Sequence, residues 1–432
     1  MKLKSILFTL TILCLGAGAI PIETNIATHA NSNQSQNAQL KLKGIPLSCY
    51  VSVGEPSAGE GPLILAAEFT SQYWADVSLK YADAGQFDQA IQLVKRMDHD
   101  LIPEQTKVTI ATKLAEKKQY NRAIQIVQSI NNETGATEKA RGLAIIARQY
   151  AKAGNKQQAD RMFYQALKYA RSLNRELQQY PLAYIAIEYA AANRYKEALQ
   201  LANSIKDEDS RAMALSGIAV EYAANGTFNK GLQLVQTITS EYEQSKALEL
   251  IASQATISEL TQLEKLTFKI KDDTYKAPPL AAIAIRYINL GQIEPDKNLE
   301  KTIVAIDPGG SAYYKLPGAY ASKQRFDDAI KLINQMPGNE WQDTARASVI
   351  LEYARNKQYD KAQSIINTIT SQSGKKKAIQ ALAQGYAEAG QYQPASEILK
   401  TVQPENNIEA PYNRQHDISL VECAAKSVAA RK

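Results

Sequence analysis

Apolar residues recur three, four and seven positions ahead of a tyrosine along most of this chain. Ala186, Ile185 and Leu182 precede Tyr189 in this way, and Ala383, Leu382 and Ile379 precede Tyr386. That spacing paints one face of a helix. A Gly or polar turn follows each tyrosine, and a second stripe such as Ala362, Ile366 and Ile369 then returns at helical spacing. The Gly or Asn between the two stripes suits a left-handed helix end. No long alternating run competes as a strand, so the pattern predicts paired helices.

The pairs repeat. Tyr81-Ala82-Asp83-Ala84-Gly85-Gln86-Phe87-Asp88-Gln89-Ala90 sets the phrase: an aromatic and an Ala, a turn, then an aromatic and an Ala. Copies begin at Tyr150, Tyr189, Tyr222, Tyr287, Tyr320, Tyr353 and Tyr386, with Leu114 in the tyrosine place of a weaker one. The usual step is 33 residues; extra residues before Tyr150 and Tyr189 lengthen two steps to 36 and 39. Tyr222 and Tyr287 lie 65 residues apart, room for one degenerate copy around Ala255, so the count is ten. One pair cannot bury both its faces, so neighbours must stack into a curved solenoid.

These residues resemble the tetratricopeptide (TPR) repeat. Leu182, Ala186, Tyr189, Asn193, Tyr195 and Ala198 follow the family's large apolar, small, Tyr, turn, aromatic and small positions one by one, with Asn for the turn Gly. The likeness covers roughly Leu63 to Gln403. It departs in its 33-residue step, against the family's 34, and in lacking the proline that often ends the second helix. The resemblance implies an all-α, right-handed α-solenoid of about ten two-helix repeats. The copy at Ala255 lacks the Tyr, the Gly and the second aromatic, and a kink in the stack is expected near 245–276.

In the family, first-helix side chains six and two before the Tyr, and one and two after it, face a concave groove. Carried over, those places hold Ala144, Arg148, Ala151 and Lys152; Ala183, Ile187, Ala190 and Ala191; Ser216, Val220, Ala223 and Ala224; Ala281, Ile285, Ile288 and Asn289. Arg148, Lys152, Ile187, Val220, Ile285 and Tyr314 are the resulting candidate contacts, Tyr314 foremost because it lies in the atypical stretch after Asp307-Pro308-Gly309-Gly310. Small side chains here have two readings: tight curvature, or an apolar groove for an amphipathic helix or extended peptide. The Lys and Asn set with which family members clamp a C-terminal carboxylate is missing. The repeated tyrosines sit at packing positions and read as core.

The ends carry other information. Lys2 and Lys4 precede an apolar run from Ser5 to Leu15, and Ala17-Gly18-Ala19 follows; this reads as a signal peptide over 1–19 cleaved after Ala19. Lipidation at Cys14 is disfavoured, because Leu13 stands where a small residue is needed. Residues 20–62 read as a linker, rich in Asn, Gln and Ser over 31–39 and in Gly, Pro and Glu over 54–62, with Gly44 to Val53 expected as a short extended segment against the first repeat. Residues 404–432 form a tail with one capping helix around Ile418 to Ala430. No other apolar run is long enough to span a membrane, so a periplasmic or secreted protein is expected.

The net charge of +6 has no dense basic block beyond Lys375-Lys376-Lys377, which disfavours nucleic acid as a partner. Cys49 and Cys423 read as separate thiols in preference to a disulfide, because a bridge would require the ends of an elongated stack to meet. His29, His99 and His416 lie near no cysteine pair, so no zinc set forms. Asp98-His99-Asp100 reads as a polar turn in preference to a metal site. No nucleophile–base set, phosphate-cradling loop or cofactor motif stands out. A scaffold or adaptor that binds a protein or peptide, and is no enzyme, is the expected function; a solenoid-bodied envelope enzyme and a self-assembling envelope protein are the alternatives.

Overall fold

The computed structural model of the protein describes residues 44–54, 63–132, 135–338, 340–402 and 410–429. The expected signal peptide, Cys14 and most of the expected linker lie outside them. The described residues hold 22 helices and no strand. A short helix α1 (Leu47–Val53) precedes ten antiparallel pairs. The first four are α2/α3 (Leu63–Asp83, Phe87–Val94), α4/α5 (Ile102–Glu116, Tyr120–Gln128), α6/α7 (Ala136–Lys152, Lys156–Ser172) and α8/α9 (Gln179–Ala191, Tyr195–Ser204). Then come α10/α11 (Glu208–Ala224, Phe228–Val235), α12/α13 (Glu241–Ala252, Ile257–Thr267) and α14/α15 (Asp273–Asn289, Ile293–Ile306). The last three are α16/α17 (Leu316–Ser322, Phe326–Gln335), α18/α19 (Glu340–Arg355, Tyr359–Thr368) and α20/α21 (Gln372–Glu388, Tyr392–Lys400), followed by α22 (Ala410–Ala429). Each first helix packs on the first helix of the next pair, which makes an α-solenoid.

One corner is used nine times. The anchor residue of the repeat lies two positions before the end of its first helix, and the residue four after it takes a left-handed backbone. That residue is Gly85, Gly154, Gly226, Gly291 or Gly390 in five corners and Lys118, Asn193, Gln324 or Lys357 in four. The next backbone N–H donates back to the anchor carbonyl, as Arg194 does to Tyr189 and Gln391 to Tyr386, both at 2.8 Å. These bonds satisfy carbonyls that the helix end would otherwise leave bare.

The two aromatics of the phrase meet across neighbouring pairs. Tyr120 stacks on Tyr150 at 4.0 Å between ring centres, Tyr195 on Tyr222 and Phe326 on Tyr353 at 3.9 Å, and Tyr359 on Tyr386 at 4.2 Å. In the longer α7 it is Phe163 that reaches Tyr189, at 3.9 Å. Such a stack adds about 0.5–1.5 kcal/mol beyond the area it buries. The second aromatic also ties the next first helix through its hydroxyl: Tyr195 Oη donates to the Glu221 carbonyl at 3.1 Å.

The degenerate copy differs from expectation. A full pair, α12/α13, stands there, and α12 ends at Ala252, so Leu250 and not Ala255 holds the anchor place. It lies 28 residues after Tyr222 and 37 before Tyr287. A capping box between Thr256 and Glu259 starts α13 and sets this corner in place of a left-handed residue. The stack does not break at 245–276. Its irregular place is 307–315, where turns precede a first helix, α16, of only seven residues.

The ends meet. Leu47–Val53, expected as extended, is helical and packs on both α2 and α22. Cys49 and Cys423 are joined by a disulfide with their Cα atoms 5.7 Å apart, which overturns the expectation of separate thiols. Around the bond, Tyr73 Oη donates to the Tyr50 carbonyl at 2.8 Å and Tyr392 Oη to the Gly44 carbonyl at 2.8 Å. His416 packs edge-on against Tyr73 with 5.1 Å between ring centres, and its Nε2 lies 3.0 Å from the Gly54 carbonyl. One buried cluster accordingly runs from Ile45 to Ile218 and also contains Ala383, Leu399, Ile418 and Val421. The solenoid closes into a ring. In the chain-entropy account a bond closing a 374-residue separation stabilises the fold by about 6 kcal/mol.

The corners generate a prediction. A side chain in the left-handed region costs about 1 kcal/mol that glycine does not. Replacing Lys118, Gln324 and Lys357 each by Gly therefore raises stability by about 1 kcal/mol per site, while Gly390→Ala lowers it by a similar amount. Thermal unfolding of the single and combined variants checks both directions.

Candidate binding face on the inner helices

The first helices line the inside of the ring, and the candidate contacts fall on them unequally. Arg148 on α6 is buried, and its guanidinium lies 3.2 Å from the Glu188 carboxylate on α8, also buried. Arg141 two turns earlier pairs with Glu138 at 3.2 Å and sits over the Tyr184 ring. A buried pair returns little net stability, because both ions lose their water. It does fix how α6 and α8 sit on each other. Arg148 is thus held within the wall of the ring. Lys152, at the end of α6, is exposed.

Ile187 is 5% exposed and lies on Gly217 of α10. A Cβ at Gly217 would stand 2.5 Å from Ile187 Cγ1, so only glycine admits this approach. Val220, the matching residue on α10, is also buried. At these repeats small side chains serve close packing of first helices. A small cleft with a volume of about 10 Å³, open to solvent, remains between α8, α10 and α12, with Tyr184, Ile187, Met213, Glu243 and Lys246 among its lining. Burial pushes the Glu243 carboxyl above its ordinary value, against the pull of Lys246 at 3.9 Å and of Ser216.

Further round, the inner side chains are more open. Ile285 on α14 is half-buried. Tyr314 does not lie on a first helix as expected, because α16 begins only at Leu316; it sits in the preceding turns, half-buried, with its ring 4.9 Å from that of Trp341 on α18. Its neighbour Tyr313 is fully buried. Ile285, Tyr314, Trp341 and Leu351 all pack partly exposed on one core cluster. The structure therefore brings Arg148, Ile187 and Val220 together as wall, and separates them from Ile285 and Tyr314.

Sequence reasoning passed over Trp341, Glu243 and Gly217. Gly217 had a usable signal, since a glycine inside a helix costs about 1 kcal/mol relative to Ala and marks a close approach. At Asp98-His99-Asp100, His99 Nδ1 accepts the backbone N–H groups of Leu101 and Ile102 at 3.1 and 3.3 Å, which makes it a cap for α4.

No known family profile matches the chain, and no curated protein matches it in sequence. Among solved structures it is similar to Ton1535 from Thermococcus onnurineus NA1, at 12% identity over 81% of this chain and 98% of that one, with a TM-score of 0.30. It is similar to human IFIT1 in a dimer with m7Gppp-AAAA, at 13% identity over 84% and 81%, with a TM-score of 0.26. A circular tandem repeat protein gives 12% identity over 85% and 87%, with a TM-score of 0.17. At such TM-scores these likenesses carry no argument about binding.

Two predictions follow from the inner wall. Gly217→Ala costs about 1–3 kcal/mol by overpacking, and much of that loss disappears in an Ile187→Ala background; urea melts of the double-mutant cycle measure the coupling. Glu243 has a raised folded value, so its contribution is intact below about pH 4.5 and is lost as the pH rises through the folded value. Glu243→Gln is therefore more stable than the native chain at pH 8 and gains nothing at pH 4, as melts at the two pH values can determine.

Proposed function

We propose that this chain is an extracytoplasmic scaffold that binds a protein or peptide partner on the inner face of its ring. The observation that carries the reading is the Cys49–Cys423 disulfide, since such bonds persist in oxidising compartments and are rare in the cytosol. The basic, apolar and small-residue order from Lys2 to Ala19 supports export to the periplasm or beyond, without a lipid anchor at Cys14. Among the described residues no helix is long and apolar enough to cross a membrane. The activity proposed is binding, not turnover.

The partner meets the half-buried apolar side chains from α14 to α18: Ile285, Tyr314, Trp341 and Leu351. An amphipathic helix or extended peptide with apolar anchors fits this chemistry. Self-assembly through bare terminal repeats is disfavoured, because α1 and α22 cover those ends.

Photocrosslinking in cells tests the reading. A probe at Tyr314 yields a discrete protein adduct, whereas one at Ile187, sealed against Gly217, yields none. A reporter enzyme active only outside the cytoplasm, fused after residue 43, gains activity. Failure of the Tyr314 probe to crosslink, with turnover of cell-wall material by the purified protein, would reverse the proposal in favour of an enzyme.

A further inference from the structure

One step of the ring is unlike the rest. Between neighbouring pairs a first helix packs along a first helix, and at five steps an aromatic stack joins them. At the closure the bridging element is α1, seven residues long, whose buried side chains are Cys49 and Tyr50. A helix of that length does not hold its own shape in water. The hydrogen bonds from Tyr73 and Tyr392 reach backbone carbonyls of α1 and its flank, and His416 Nε2 lies against another. The order of α1 and the bond at Cys49 therefore depend on each other.

The two sulfurs differ in access. Cys49 is wholly buried, while Cys423 is half-buried. Ser427 Oγ lies 3.7 Å from the Cys49 sulfur and Ser52 Oγ 3.6 Å from the Cys423 sulfur. Bonded sulfurs carry no hydrogen, so the Ser427 hydroxyl donates to Cys49, whereas the Ser52 hydroxyl donates to the Cys49 carbonyl at 3.3 Å. A thiolate that attacks the accessible Cys423 sulfur expels Cys49 as a thiolate, next to the Ser427 hydroxyl.

We infer that the Cys49–Cys423 bond is a redox latch: a dithiol reductant opens the ring at α1 and α22 while the ten helix pairs stay folded. The first thiolate of the dithiol forms a mixed disulfide with Cys423 and releases Cys49. Its second thiolate then displaces Cys423 and closes the reductant's own disulfide. Two electrons pass to the protein, and the two cysteine thiolates take up the two protons the dithiol gave up. Ser427 is a positioning residue that donates to the departing Cys49 sulfur.

Hydrogen exchange on the full chain, oxidised and then held in excess dithiothreitol, tests this independently of any partner or compartment. Amides of α1 and α22 exchange about tenfold faster or more after reduction, those of α8 and α14 are unchanged, and the radius of gyration rises. Unchanged exchange in α1 and α22 would overturn the inference, and so would loss of protection in all ten pairs together, which would make the bond a global staple. Cys423→Ser gives the open pattern without reductant; should it fail to fold, reduced native protein still decides. Ser427→Ala slows reduction several-fold at fixed pH, and an unchanged rate removes that residue from the mechanism.

Discussion

A stack of helix pairs always has two bare ends, because the first and last pairs lack the neighbour that every inner pair uses to bury its apolar face. In this protein each end is covered from the other side of the chain. Tyr73 and Trp74 of the first pair share one core with Ala383, Leu399 and Val421 of the last pair and the helix beyond it. Closure then constrains every other step, since the pairs must together turn through one full circuit. The first helices, on the inside of that curve, have to approach more closely than the second helices outside. Gly217 against Ile187 and Gly385 against Ala354 are places where the approach leaves no room for a Cβ.

Tight curvature also explains a polar interior that the repeat alone would not call for. Positions two before the anchor and their neighbours are turned towards the centre and compressed, so charged side chains there lose their water. Arg148 meets Glu188 across one step, and Arg141 lies over Tyr184 across the same step. Removing one member of such a pair would leave the other buried and uncompensated, whereas the pair itself sets register more than it adds stability. The same compression buries Ile187 and Val220.

Most of the fold was legible because its rules are local. The anchor, the left-handed corner four residues later and the second aromatic all fall within one helical pair, and the spacing of 33 carries them along the chain. The misreadings came where sequence distance stopped being a fair ruler. At the degenerate copy, counting one step on from Tyr222 pointed to Ala255, but the capping pair Thr256 and Glu259 fixes the corner and ends α12 early, which hands the anchor place to Leu250. At Tyr314 the spacing assumed a full first helix where the chain makes turns. The closure was least legible of all: Cys49 and Cys423 belong to no repeat, and no periodicity relates α1 to α22. The candidate contacts were rightly placed on first helices except Tyr314, yet their exposure is decided by the next pair along, and a single repeat does not encode that.

The ring that results is uneven, and its unevenness organises the functional reading. From α6 to α10 the inner wall is closed by buried ion pairs and glycine contacts, and it transmits shape without offering much surface. From α14 to α18 a shortened first helix relaxes the packing, and Tyr314 and Trp341 lie partly open against the core. The junction stands between the last pair and the first, so any change there acts on both arcs through continuous helix packing. A stiff arc, a receptive arc and a covalent clasp that reducing thiols can undo are three consequences of one requirement, that a solenoid of ten pairs cover its own ends.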